Sequence, residues 1–219
     1  MAYLRKRALA HLFLSYPLTL DQWDRRQKVS TLGAELDIDA WPGSTSKILQ
    51  VIEVAKNLDI PWILPAAYYD CSTVSLELLL SEPKWNDGTI DTDIKNHILI
   101  GYQKQTNATR SQMLEFLYCD PLERCARKDV CGEVKRRLYC ATQEWSVNKP
   151  LEVMVDGDWE CFLGDLCGLC LEVSKVRFQN ARKEFWERLP EIFGLPKWEV
   201  LVGMYGEAVD DAQAMHLGY

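Results

Sequence analysis

Apolar positions along this chain recur at three- and four-residue spacing and almost never alternate, which predicts helices nearly throughout. Residues Tyr3 to Ser15 put Leu4, Ala8, His11 and Leu12 on one side, and Pro17 ends that segment. Thr19-Leu20-Asp21-Gln22 has the form of a capping box, so a second helix is expected to open there and carry Trp23 inward. Asp37, Asp39, Pro42 and Gly43 predict a loop, and Ser44 or Thr45 the next N-cap. Ile48, Val51, Ile52 and Ala55 then form an amphipathic stripe. Pro61 suits the first turn of a helix holding Trp62, Leu64, Ala67 and Tyr68, with Pro65 tolerated near its start. A short apolar helix from Thr73 to Leu80 follows. Asp91 is the expected cap of a longer pattern through Ile94, Ile98, Gly101 and Tyr102, and Met113, Phe116, Leu117 and Tyr118 mark the next.

Beyond Cys119 the pattern becomes irregular until Asp129, from which a helix is expected to reach Trp145. Leu151 to Val155 is the single candidate strand. Asp156-Gly157-Asp158 predicts a turn and cap. Trp159, Phe162, Leu163, Leu166, Leu169, Cys170, Val173 and Val176 keep helical spacing on one face of a long helix that Pro190 ends. Phe193, Leu195 and Trp198 should fold back onto the body, since a free tail would expose an apolar patch. The expected class is all-α: a compact irregular bundle of roughly eight to ten helices with a long C-terminal helix. The expected halves are an N-terminal helical half, 1–118, and a cysteine-rich C-terminal half, 119–219, packed on it.

Composition narrows the function without naming it. With 47% apolar and 26% charged residues the chain is globular in character, and eight tryptophans point to a substantial core or an interaction surface. A formal net charge of -7 argues against nucleic-acid binding. The charge is uneven, with 11 acidic and 4 basic residues from Leu32 to Ile100. A basic cluster of Arg124, Arg127, Lys128, Lys135, Arg136 and Arg137 reads as a solvated helix face that could also meet an acidic partner. No apolar run is long enough for a membrane span. Arg5-Lys6-Arg7 faintly resembles a targeting peptide, but His11 interrupts the apolar part and no small-residue cleavage site follows. An intracellular protein of cytoplasm or nucleus is expected, with no membrane partner and with its oligomeric state open.

Eight cysteines without a secretory signal suggest thiols or metal rather than a disulfide framework. Cys167 and Cys170 stand at i and i+3, so their thiols would share one side of a helix and could supply half of a tetrahedral zinc site. The other half would come from Cys119, Cys125, Cys131 or Cys140, and the pair Cys125 and Cys131 is the best placed. Their five intervening residues exceed the two to four of familiar zinc modules. The alternative is that these cysteines serve as small buried hydrophobes. A redox pair is disfavoured, because thiols inside a helix lack the helix N-terminus that lowers a cysteine pKa.

Signs of catalysis are few. His11, His97 and His216 stand near no cysteine or serine in a recognisable arrangement, and the glycines form no phosphate-binding loop. Asp156 and Asp158 beside Glu160 are explained by capping. No catalytic residue and no organic cofactor is expected; a thiol-dependent enzyme is the outlying alternative.

Three blocks carry a family resemblance. One is Leu4-Arg5, Ala8-Leu9 and Leu12 followed by Tyr16 to Trp23. Another is Val51 to Ala55 leading into Pro61 to Cys71. The last comprises Leu166-Cys167, Cys170, Arg182, Trp186, Leu189-Pro190, Ile192 to Pro196 and Trp198. Together they resemble the helical region that follows the BTB/POZ fold in BTB domain-containing proteins of basidiomycete fungi, from about Leu4 to Leu201. The BTB/POZ fold itself lies outside the part resembled. What the resemblance implies is a non-catalytic, all-helical protein–protein interaction module, an adaptor or truncated family member, with an unknown protein partner.

Overall fold

A computed structural model describes residues 15–33, 45–120, 122–145 and 148–214, without the side chains of 27–33 and 209–214. The expected helix from Tyr3 to Ser15, the loop through Asp37 to Gly43 and the Ser44 cap therefore lie essentially outside the described residues, as do His11 and His216. Within them the chain is all-α, with no strand and with eight helices of seven residues or more. None of these helices is long and apolar enough to cross a membrane. The chain divides into two compact units: one takes the chain up to Gly101 together with everything from Trp186 onward, the other is Tyr102–Phe185. The boundary expected at 118/119 falls inside the second unit, and the tail from Trp186 clusters with the first.

In the first unit, α1 (Leu20–Gly33) begins as its sequence suggests. The Gln22 backbone N–H donates to Thr19 Oγ1 at 3.3 Å, and Gln22 Oε1 accepts from the N–H groups of Leu18 and Thr19 at 3.1 and 3.2 Å. Trp23 is fully buried. Helix α2 (Thr45–Asn57) buries Ile48, Leu49, Ile52 and Ala55, while Val51 is half-buried. It ends where Asp59 adopts φ 54° and the Ile60 N–H reaches back to the Ala55 carbonyl at 2.9 Å. Pro61–Ile63 forms a 3₁₀ turn that leads into α3 (Leu64–Ser72), with Pro65 in its first turn.

Every residue of α3 is buried, as befits a helix packed on all sides. Tyr69 meets the Trp23 ring edge-on at 4.9 Å, and Tyr68 stacks on Phe193 at 5.3 Å. Asp70 receives two hydrogen bonds from the Arg26 guanidinium, at 2.9 and 3.1 Å, and this pair is almost wholly buried. Short helices α4 (Leu76–Ser81) and α5 (Pro83–Asn86) precede α6 (Thr92–Ala108). Asp91 Oδ1 accepts the Asp93 N–H at 2.9 Å at the start of α6, which turns Ile94 and Ile98 into the core.

Helix α7 (Glu115–Tyr118) and α8 (Lys128–Thr142) belong to the second unit, where they pack on each other. Leu151 to Val155 is no strand: Pro150–Glu152 is a 3₁₀ turn, in which a proline start suits a helical turn better than a ladder needing N–H donors. The long helix expected from Trp159 is broken in two. Helix α9 (Asp156–Leu163) stops, four residues intervene, and α10 (Gly168–Glu187) starts afresh. Phe116, Trp159 and Phe178 form an aromatic cluster at the centre of this unit, with ring separations of 5.4 to 6.3 Å. The inward row of α10 is Cys170, Ser174, Phe178, Ala181 and Phe185, whereas Phe162, Leu169 and Val176 are exposed.

Pro190 starts α11 (Leu189–Ile192), and the tail folds back onto the first unit as expected. Phe193 is fully buried, and Trp198 stacks on Trp186 at 5.4 Å while its indole N–H donates to the Trp186 carbonyl at 2.7 Å. Helix α12 (Trp198–Ala214) packs through Tyr205 on Trp62. Replacing Asp70 with alanine leaves a buried guanidinium without its counter-charge and should cost about 3–5 kcal/mol in a urea unfolding titration. A Cβ built on Gly101 would run into the Phe193 ring. Gly101→Ala should accordingly lower stability by about 1–3 kcal/mol in the same assay.

Candidate metal centre

The break between α9 and α10 creates the most distinctive chemistry of the second unit. Because α10 begins at Gly168, Cys167 occupies its N-cap, with the Leu171 N–H bonded to the Cys167 carbonyl at 3.0 Å. Cys170 follows in the first turn, and its backbone N–H donates to Cys167 Sγ. From the other side comes the segment ahead of α8. Cys125 sits in a turn closed by its own N–H on the Leu122 carbonyl at 2.8 Å, and Cys131 lies in the first turn of α8. Five residues can separate Cys125 from Cys131 because one thiol belongs to the loop and the other to the helix it feeds.

The four Sγ atoms of Cys125, Cys131, Cys167 and Cys170 all lie within 4.8 Å of one another. Cys125 and Cys167 are 3.6 Å apart, too far for a disulfide, and all four cysteines are free. Four sulfurs around a zinc ion at about 2.3 Å would be about 3.8 Å apart along each tetrahedral edge. The observed spread brackets that value. It is also too tight for thiolates that surround several irons and their bridging sulfides, so the donor set fits a single tetrahedral ion. Cys125, Cys131 and Cys170 are buried and Cys167 forms the half-exposed corner.

Backbone donors already point at the sulfurs. The Cys167 N–H donates to Cys131 Sγ at 3.3 Å, and the Leu122 N–H points at Cys170 Sγ. The thiols respond unequally. The Cys170 N–H at the helix start, assisted by the neighbouring thiols, lowers the Cys167 pKa to about 7 against the opposing effect of burial. Burial raises Cys170 to about 12 and also pushes Cys131 up. Without a cation Cys167 is therefore favoured as a thiolate over Cys131 and Cys170. The objection that both α10 cysteines sit mid-helix, away from an N-terminus, does not hold for Cys167: the helix starts immediately after it.

The remaining cysteines stay apart from this group. Cys119 is half-exposed with its thiol on the Glu115 carbonyl at 3.5 Å, Cys140 and Cys161 are exposed, and Cys71 is a fully buried thiol of the first unit whose pKa burial drives upward. His97 packs between the Tyr68 ring and Gly194. Two members of the basic cluster have acidic neighbours. Arg136 pairs with Glu133 at 2.7 Å, and Arg137 with Asp165 at 3.5 Å. Arg127 donates to the Asp165 carbonyl at 3.0 Å, which tethers the loop before Cys167. Lys135 does not belong to a solvated face at all, being only 6% exposed. The sequence carried a signal for the break in Gly164 and Gly168, poor helix residues flanking Cys167, but none for the burial of Lys135.

No family model matches the chain, and no curated protein or solved structure matches it either.

In metal-free protein at neutral pH, Cys167 should alkylate well ahead of Cys131 and Cys170, since its pKa is lowered to about 7 while theirs are raised. Peptide mass spectrometry after a brief iodoacetamide pulse reads the order directly; preferential labelling of Cys170 would contradict it.

Proposed function

We propose that the chain is a non-catalytic helical interaction module whose second unit is cross-linked by one structural zinc ion on Cys125, Cys131, Cys167 and Cys170. The observation that carries this reading is the convergence of four sulfurs within 4.8 Å. Two of them come from the segment around the start of α8 and two from the start of α10, so one ion ties segments some forty residues apart in sequence (about one helix-pair length). All four positions hold protein ligands, which is the closed arrangement of a structural site; a catalytic zinc keeps one position for water.

The resemblance to the post-BTB helical region supports protein binding as the work of the module, and free thiols suit a reducing compartment such as cytoplasm or nucleus. In this reading zinc keeps the region around α8 and α10 in the shape that a protein partner meets.

Protein purified without chelator should contain one zinc per chain by elemental analysis. Cys131→Ser or Cys170→Ser should lose it, while Cys140→Ser should keep it. Substoichiometric zinc in the unaltered chain contradicts the reading. Acidification should release the metal, because the ion must displace the protons of thiols as weakly acidic as Cys170, at about 12, and falling pH returns them. A chelator-competition titration between neutral and mildly acidic pH checks the sign; affinity independent of pH would contradict it.

A further inference from the structure

Lys135 lies one helical turn after Cys131 on α8, so the two side chains leave the same face. It is 6% exposed, and its ammonium makes one long hydrogen bond, to the Cys119 carbonyl at 3.4 Å. Among the described residues no carboxylate lies within ion-pair distance of it. A buried ammonium without a counter-charge is among the costlier arrangements a protein can hold. Burial lowers the Lys135 pKa; Cys170, Cys119 and Cys131 are the groups near enough to hold its charge if they ionise, and Arg177 opposes it.

Two of those three sulfurs are in the four-cysteine cluster. As neutral thiols they give the lysine no counter-charge. As four thiolates around a divalent ion they carry a net charge of about -2, since four negative charges are offset by two positive. The burial of Lys135 and the charge of a zinc tetrathiolate thus answer each other.

We propose that Lys135 is the cationic positioning residue of the metal centre, offsetting part of the negative charge of the zinc tetrathiolate and so holding the metal more tightly. The proposal rests on the zinc reading above. It assigns Lys135 no contact with the metal. It also removes Lys135 from any partner-binding basic surface, leaving Arg136 and Arg137 there with their own acidic partners.

The test compares unaltered protein with Lys135→Met, Lys135→Arg and Leu138→Ala, the last a control for loosening the same buried helix. Each is titrated with zinc against a chromophoric chelator and then loaded with cobalt(II) for absorption spectroscopy. K135M should bind one metal per chain about 10- to 100-fold more weakly, the range for loss of an outer-shell partner. Its sulfur-to-cobalt charge-transfer band should move to lower energy, because removing a nearby cation raises the sulfur electrons. K135R should restore both, and L138A should leave the band where it was.

One metal per chain with unchanged affinity and an unmoved band in K135M overturns the role of Lys135 and leaves the zinc reading intact. Failure of the unaltered protein to bind metal overturns both. If K135M does not fold, acetylation of the zinc-loaded unaltered protein decides. Lys135 should then be protected while exposed Lys128 reacts, and equal reaction rates overturn the proposal.

Discussion

Four sulfur atoms gathered within 4.8 Å are tolerable as thiols and unfavourable as thiolates unless a cation sits among them. That constraint orders much of the second unit. Backbone N–H groups of Cys167, Cys170 and Leu122 point at sulfur, and Lys135 is buried on α8 one turn after Cys131. Each feature alone has an ordinary explanation; the proposed divalent ion would account for them together. With three of the four sulfurs buried, water would compete poorly for an ion bound there.

The first unit is held by different means. Its centre is α3, buried on every side, with Arg26 and Asp70 making a paired charge inside an otherwise aromatic environment. Arg26 also lies 3.6 Å from the centroid of the Trp23 ring, and Trp23 in turn contacts Trp186, which stacks on Trp198. A chain of ring contacts thereby links residues at opposite ends of the sequence. Trp186 and Phe193 of the tail belong to this core, while Leu195 and Trp198 are half-buried.

Local signals were legible wherever a side chain acts on its own backbone neighbourhood. Thr19 with Gln22, Asp91 at the start of α6, and Pro190 in the first turn of α11 all do what their chemistry suggests, because capping and proline geometry are decided within a few residues. The apolar face of the Trp159–Val176 stretch was misread for a physical reason. A four-residue break changes the phase of the helix, so residues in step before it fall out of step after it. Phe162, Leu169 and Val176 become exposed while polar Ser174 turns inward, and Ser174 masks the true stripe. Leu49 likewise displaces Val51 because α2 is covered over a wider arc than a minimal stripe implies.

The grouping of Cys125 and Cys131 with Cys167 and Cys170 was suggested by composition and spacing, whereas the placement of Cys167 at a helix N-cap and the burial of Lys135 depend on packing between distant segments. The proposed zinc ion would occupy the space between the four sulfurs. X-ray absorption at the zinc edge, on protein purified without added metal, tests it most directly. The account predicts a first shell of four sulfurs at about 2.3 Å. A shell containing nitrogen or oxygen ligands, or no zinc signal at one equivalent, would contradict it.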